Sequence, residues 1–535
     1  MACVAMAFAP SCERASAPAP PPQGEVILAV DTDMPVPAFV NRLRIDAYDA
    51  NGVWYVSRDL DRSHLTDWPA SFAFDLDGGQ VEKLVALRLR AYASSNVRDY
   101  RGERFAPFVV QCDSPACTQT TPPAACCPLF SPEARAGTNL PRLYDSEGAD
   151  ITPATEPEPT LAIDRIVVLD LVPDRASLVQ VLLQGACAGT MADVVGVRSC
   201  TGTTGQLDDV SGAVPAQTIA TPLAASVAGS FHGAPVPCTA TPRPPGTAAD
   251  GSPLYDEEVC VPGGMFVFGD PSVFGFQLVD DTPPRIAILP PFLVDKYEVT
   301  VARWRAALAG GFVNPNGLAS PRANEGPLPT SGVDEASNKL CTWTVSRRDR
   351  EAYGLNCVAW KDAHAFCQSL GGDLPTEPEF EYAATVTGRE FKTRYPWGGD
   401  DALQPPCTRL VYGRGTQAGF DDSCNPAQVT TGPLPVTASD HDAGDVTPQL
   451  DLVGFGGNYS EWQVDAFAPL TANCWASAAL LSPTCSATTP PTRAVRGGSW
   501  RLGPLDVIPS VRSFGPGADV AQDVGFRCSR PGSAP

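Results

Sequence analysis

The chain has 535 residues, too many for one ordinary core, and at roughly 100–200 residues per unit it predicts two or three folding units. A formal charge of −22 repels phosphate backbones and anionic membrane surfaces, so nucleic acid is excluded as a partner. With 55 prolines, 47 glycines and only 18% charged residues against 43% hydrophobic ones, the composition is that of a turn-rich globular protein; it is too apolar for general disorder, and no apolar run approaches the ~20 residues of a membrane helix.

Residues 1–24, "MACVAMAFAPSCERASAPAPPPQG", place a short apolar stretch before Cys12 and a proline-rich tether after it. That order resembles a bacterial lipoprotein signal, in which Cys12 becomes the lipidated first residue and attaches the protein to a membrane; a plain cleaved secretion signal is the other reading. Either one predicts an extracytoplasmic protein, secreted, periplasmic or lipid-anchored at the bacterial cell envelope. Cysteine usage points the same way. Apart from Cys3 and Cys12, equal numbers lie in the two halves, from Cys112 to Cys260 and from Cys341 to Cys528, as disulfides made within domains require. The alternative, a cytosolic protein with metal-binding thiols, lacks any C-x-x-C pair or Cys/His cluster of zinc spacing.

Residues 25–110 read as strands. "EVILAVDT" and "RLRIDAYDANGVWYVSRDL" alternate apolar and polar residues, with Asn51-Gly52 as a hairpin turn, and "VEKLVALRLRAYAS" continues the pattern. Residues 111–160, with Cys126-Cys127 and many prolines, predict a disulfide-pinned loop or linker. "LAIDRIVVLDLV" and "ASLVQVLLQGAC" return to strand, and the interval from Cys187 to Cys200 predicts a closed loop. The expectation for residues 25–240 is therefore an all-β region, an antiparallel sandwich or two small ones. The proline-rich "PVPCTATPRPPGTAAD" at 235–250 marks a linker, assigned to residues 241–253.

Beyond it the period changes. "VTVARWRAALAGG" sets Val301, Trp304 and Leu308 on one helical face, with Thr300 as N-cap and Gly310-Gly311 as the stop. "AWKDAHAFCQSLGG" spaces Trp360, Ala363, Cys367 and Leu370 by three, four and three. Thr376 and Glu379 form a capping box that opens a third helix. After Thr385 turns and glycine-rich loops dominate, so this half reads as α+β with little regular structure.

These segments also occur in a known order. "CVPGGMFVFGD" at 260, "FLVDKYEVTVARWRAAL" at 292, "NCVAWKDAHAFCQSLGGDLPTEPEFEYAA" at 356, "YPWGGD" at 395, "GGNYSEWQVD" at 456, "RGGSW" at 496 and "VGFRC" at 524 together resemble the formylglycine-generating enzyme, or sulfatase-modifying factor, family over residues 254–531. The resemblance implies a C-type-lectin-like fold, a disulfide between Cys367 and Cys528, and a structural Ca²⁺ held partly by Asn458 and Glu461, whose amide and carboxylate oxygens suit a hard cation. The acidic "SDHDAGD", with Asp440, Asp442 and Asp445, is a second place for calcium, or a solvated loop.

Active members of the family oxidise a sulfatase cysteine to formylglycine with copper(I), held by two cysteines just beyond the Gly-Gly-Ser-aromatic motif; soft thiolates select that ion. Here the equivalent stretch is Arg501, Leu502, Gly503, Pro504, Leu505, Asp506 and Val507, and no cysteine lies between Ser499 and Gly525. Copper is therefore not expected, and no catalytic residue is assigned. Nor is there a histidine trio, since His64, His232, His364 and His441 are scattered, with His364 read as a structural imidazole. Trp360, Trp397, Trp462 and Trp500 are read as packing before groove lining, and Arg512 and Arg527 as partners in buried ion pairs. The expectation is a catalytically inactive domain that binds a protein, peptide or glycan or serves a structural role; the alternative is a formylglycine-generating oxidase or other oxidoreductase with a divergent site.

Overall fold

The computed structural model describes residues 25–533 apart from 50–51, 76–82, 100–141, 195, 204, 232–234, 271–283, 330–338, 390–391, 399–403, 417–420, 428–429, 439–443, 471, 477–479 and 487–491. Cys12, Asn51, Cys126, Cys127, His232, Asp440, His441 and Asp442 lie outside the described residues.

Strands β1 (Glu25–Thr32), β2 (Arg42–Tyr48), β3 (Trp54–Asp61), β4 (Ala70–Asp75), β5 (Lys83–Tyr92), β6 (Val97–Asp99), β7 (Thr155–Pro157), β8 (Ile163–Leu171), β9 (Ala176–Leu183), β10 (Arg198–Cys200), β11 (Leu207–Asp209) and β12 (Gln217–Thr218) come first. They include two four-stranded sheets, ordered β12-β9-β1-β4 and β3-β2-β5-β8. The period-two pattern explains the packing: Val26, Leu28 and Val30 of β1 meet Leu43 and Ile45 of β2, Val85, Leu87 and Leu89 of β5 and Val167 and Leu169 of β8 in one shared core. One pairing differs from the antiparallel expectation. β1 and β9 run parallel, Glu25 opposite Ala176 through Thr32 opposite Leu183, because the chain visits the second sheet between them and re-enters the first in the original direction.

The second difference concerns the other face of the β3-β2-β5-β8 sheet. Alternation would turn Arg44, Asp46, Arg88, Arg90 and Asp164 toward water, yet all five are buried. Segments around residues 142–157 and 191–214 cover them: Arg44 donates to the Thr155 carbonyl, Arg90 pairs with Asp46 and Glu156, and Asp164 accepts from the Ala192 amide and pairs with Arg88. Each buried charge thus has an opposite partner, as desolvation demands.

The C-terminal part carries β13 (Glu258–Val261), β14 (Gly264–Phe268), β15 (Arg285–Leu289), β16 (Phe292–Asp295), β17 (Ser460–Ala466), β18 (Thr492–Arg496), β19 (Arg512–Pro516), β20 (Val524–Gly525) and β21 (Ser529–Pro531), with helices α1 (Val301–Ala309), α2 (Trp360–Ser369), α3 (Glu377–Thr385) and the single turn α4 (Asn473–Ala476). The fold is mixed α+β, mostly strand. All three expected helices form where their local signals put them. The Thr300 side chain accepts from the Arg303 amide at the start of α1, and Thr376 and Glu379 close the capping box of α3. Sheet β13-β16-β21 joins the beginning and end of this part, and sheet β19-β18-β17-β20 forms its second layer. Trp304, Phe366, Trp462 and Phe526 fill the core between helices and strands.

Among the described residues there are six disulfides: Cys187–Cys200, Cys238–Cys260, Cys341–Cys357, Cys367–Cys528, Cys407–Cys424 and Cys474–Cys485. Cys238–Cys260 spans the proline-rich segment read as a linker, which is further held to the C-terminal part by Thr239 and Ala240 amides donating to Gly532 and by Arg243 pairing with Glu258. The β14–β15 hairpin, in turn, sets Ile286 into the N-terminal core, with Met265 and Val267 against it. No helix among the described residues is long and apolar enough to cross a membrane.

Cys367–Cys528 closes a loop of 161 residues between α2 and the last strand. Replacing both cysteines by alanine is expected to lower stability by about 3–5 kcal/mol, read from urea unfolding under non-reducing conditions.

Candidate functional site

Residues 497–511, which connect β18 to β19, are positioned by one side chain. Arg496, fully buried at the end of β18, donates Nε to Glu377 at 2.8 Å and Nη1 to Glu381 at 3.0 Å, both on α3. The same Nη1 donates to the Pro509 and Ser510 carbonyls at 3.0 and 3.1 Å, so one guanidinium clamps both ends of the connection. Arg512 joins from β19, forking onto Glu377 at 2.7 and 2.8 Å. Lys392 completes the cluster on Glu381 at 2.5 Å. Although burial opposes ionisation, Arg512 and Arg496 hold the Glu377 carboxyl below its usual range.

Within the connection, glycine is required by contact. A Cβ at Gly498 would lie 2.6 Å from the Val507 side chain and 2.7 Å from the Gly456 carbonyl, so the backbone approaches residues 456–458 closely. Gly498 donates to the Gly456 carbonyl and Trp500 to the Asn458 carbonyl, each at 3.0 Å. Ser499 Oγ donates to Asp523 at 3.1 Å and Arg501 pairs with the same carboxylate at 2.9 Å. Trp500 is fully buried, its indole N–H 3.3 Å from the Gln522 carbonyl.

The outer turn rests on Gly413, Arg414 and Asp421. Gly413 donates to the Leu502 carbonyl and Asp421 to the Arg501 carbonyl. Two carboxylates converge at Gly503, whose amide donates to Asp506 at 3.2 Å and whose added Cβ would sit 3.0 Å from Asp421. Burial, with the Asp421 charge adding to it, raises the Asp506 carboxyl. Val507 is completely buried among Tyr395, Tyr412 and Ile508. Beside it the partly buried Trp397 stacks on Tyr395 at 4.7 Å, and the Arg409 guanidinium lies 5.7 Å from the Trp397 ring, while Leu505 is 50% exposed. The stretch thus presents an apolar floor with an acidic edge. It offers no thiolate, and every cysteine among the described residues is in a disulfide.

Asn458 and Glu461 are both fully buried. Asn458, at φ +68°, exchanges two hydrogen bonds with the Leu434 backbone. Glu461 forms a fork with Arg527 at 2.6 to 2.9 Å, and Arg527 also donates to the Asp295, Lys296 and Val453 carbonyls. Burial raises the Glu461 carboxyl, with Glu298 and Asp445 acting in the same direction and Arg527 against it. A calcium ion at these two residues would have to displace Arg527 from the carboxylate. Asp445 accepts from the Gly456 and Gly457 amides. Among the described residues no group of three or more His, Cys, Asp or Glu side chains is placed to hold a metal ion.

The remaining expected residues are placed as follows. Trp462 is buried like Trp500, whereas Trp360 is partly exposed, with His364 stacked on one side at 4.5 Å and Arg493 3.8 Å from its ring. His364 also pairs with Asp373 at 3.0 Å. Arg512 and Arg527 make the ion pairs assigned to them. The Arg496 clamp was missed at the sequence level, although Glu377 and Glu381, four apart on an otherwise apolar helix face, are its signature.

Residues 246–531 match the model of the sulfatase-modifying factor enzyme 1-like domain. The chain is 30% identical over 165 residues to a formylglycine-generating enzyme of Thermomonospora curvata, a match covering 26% of this chain and 52% of that protein, about half its length. It is 27% identical over 304 residues to an inactive C-alpha-formylglycine-generating enzyme 2 of Mus musculus, covering 52% of this chain and 86% of that one. Among solved structures, PvdO from Pseudomonas aeruginosa aligns with a TM-score of 0.38 at 19% identity, covering 55% of this chain and all of that one.

Glu377→Gln is expected to destabilise the chain by about 3–5 kcal/mol at neutral pH, since it strips a buried pair of its charge. Because the folded carboxyl sits below its ordinary value of 4.5, its contribution is present above that pH and lost as pH falls through the lower folded value. The difference between wild type and variant should therefore shrink in acid, a trend that urea titrations at several pH values would reveal.

Proposed function

Because the chain belongs, through residues 246–531, to the sulfatase-modifying factor enzyme 1-like family, we propose that it is an extracytoplasmic protein that uses this scaffold to bind a peptide segment of a partner rather than to oxidise it. The observation that carries this reading is the buried Val507, set in hydrocarbon between Tyr395 and Tyr412, on the stretch where the family's oxidases carry their copper-binding cysteines. Soft thiolates select copper(I), and residues 499–507 supply none. Around this stretch stand the exposed Leu505, the partly buried Trp397 packed on the Val507 cluster, and Asp421 and Asp506 at Gly503, a combination suited to an extended segment with an apolar anchor and a basic residue.

The six disulfides support an oxidising compartment. Cys12 is the candidate for a lipid anchor, with the proline-rich residues after it as spacer, a plain cleaved secretion signal being the other reading.

Incubated with copper(I), oxygen and a Cys-x-Pro-x-Arg peptide, the purified protein is expected to form no aldehyde above a metal-free control, by mass spectrometry. The same peptide should bind saturably in fluorescence anisotropy, more weakly at high salt and more weakly still to the Asp421→Asn, Asp506→Asn double variant. Aldehyde formation would overturn the non-catalytic reading, and binding indifferent to that double variant would remove the acidic edge from the site.

A further inference from the structure

A cleft of about 210 Å³ lies on the outer face of the β3-β2-β5-β8 sheet, lined by residues of the N-terminal β region. Its floor follows from strand register. Tyr48 stands opposite Ala86 and Ala86 opposite Val168, with the pair Arg88 and Ile166 in the next row on the same face. Gly52, at φ +77°, belongs to the hairpin on one side, and Val194 and Val197 belong to the segment on the other. Leu84, 46% exposed, stands at the mouth.

The wall is held in place. The Ala192 amide donates to Asp164, Ser199 Oγ accepts from the Ile166 amide, and Cys187–Cys200 fastens the strand that follows. Val197 has φ +48°, a left-handed conformation that is an outlier for a β-branched residue. Strain of this kind persists where surrounding structure enforces it, often at ligand clamps.

The lining chemistry selects the ligand class. The cleft is mostly hydrocarbon, and its size compares with the ~150 Å³ engineered cavity that takes up benzene, so it has room for one substituted ring. Its polar groups are Arg88, which pairs through Nε and Nη2 with Asp164, and Tyr48, together with Asp49 and Ser211 at the rim. Because Asp164 already balances the Arg88 charge, an anion finds no unpaired cation there. A neutral hydroxyl, both donor and acceptor, suits a wall offering a guanidinium and a carboxylate. We propose that this cleft is a binding site for a small neutral phenol-type molecule, its ring on Ala86, Ile166 and Val168 and its hydroxyl toward Arg88 and Asp49.

The test uses the full chain with p-cresol as probe and toluene as the comparison, followed by saturation-transfer NMR and thermal melts. Saturable p-cresol binding is expected, several-fold tighter than toluene, and lowered about tenfold, a change of roughly 1.4 kcal/mol, by either Ala86→Leu from the floor or Val194→Phe from the wall. Each variant fills the cleft from a different side, so failure of one to fold leaves the other to decide. Absence of saturable binding, toluene binding as tightly as p-cresol, or binding untouched by a folded cleft-filling variant would overturn the proposal.

Discussion

The C-terminal part is organised around a buried positive charge that cannot be left unpaired. Arg496 lies completely out of water, and a lone guanidinium there would cost several kcal/mol. That penalty forces Glu377 and Glu381 inward, which fixes the rotation of α3, and brings Arg512 onto Glu377 and Lys392 onto Glu381. Since the same guanidinium also takes the Pro509 and Ser510 carbonyls, the 497–511 connection inherits its shape from an electrostatic requirement a few ångströms below it. The outer turn is then free to vary in chemistry without loosening its base.

A second ion pair has the same logic with a different result. Arg527 forks onto Glu461 and spans three backbone carbonyls, binding β17 to the strands at the start and end of the domain. A positive guanidinium with several donors occupies the carboxylate much as a hard cation would. In both places the fold uses arginine, whose planar fork satisfies several acceptors at once, where a lysine would reach one point.

Features governed by neighbours in sequence were legible before the structure. The caps at Thr300 and Thr376 and the hairpin at Gly52 are decided within a few residues, and the seven motifs located the family domain by their order. Features decided by what lies on top of an element were not. Arg44, Asp46 and Arg88 alternate as residues on a wet face would, and only the segments that fold back over that sheet make them buried. The parallel pairing of β1 with β9 joins strands about 150 positions apart, beyond the reach of any local pattern. The partner that Glu461 takes, Arg527, comes from 66 positions further on, again beyond the reach of a local pattern.

The join between the two halves bears on how such a protein can be cut and recombined. The family domain is matched from residue 246, yet its Cys260 is bonded to Cys238, upstream of that point, and its Ile286 is inserted into the neighbouring β core. Excised at the matched boundary, the domain would bring a widowed thiol and a bare apolar hairpin into solution, an invitation to mispairing and clumping. The two halves are therefore mortised together, and evolutionary shuffling would have to carry them as a single piece or refashion the joint.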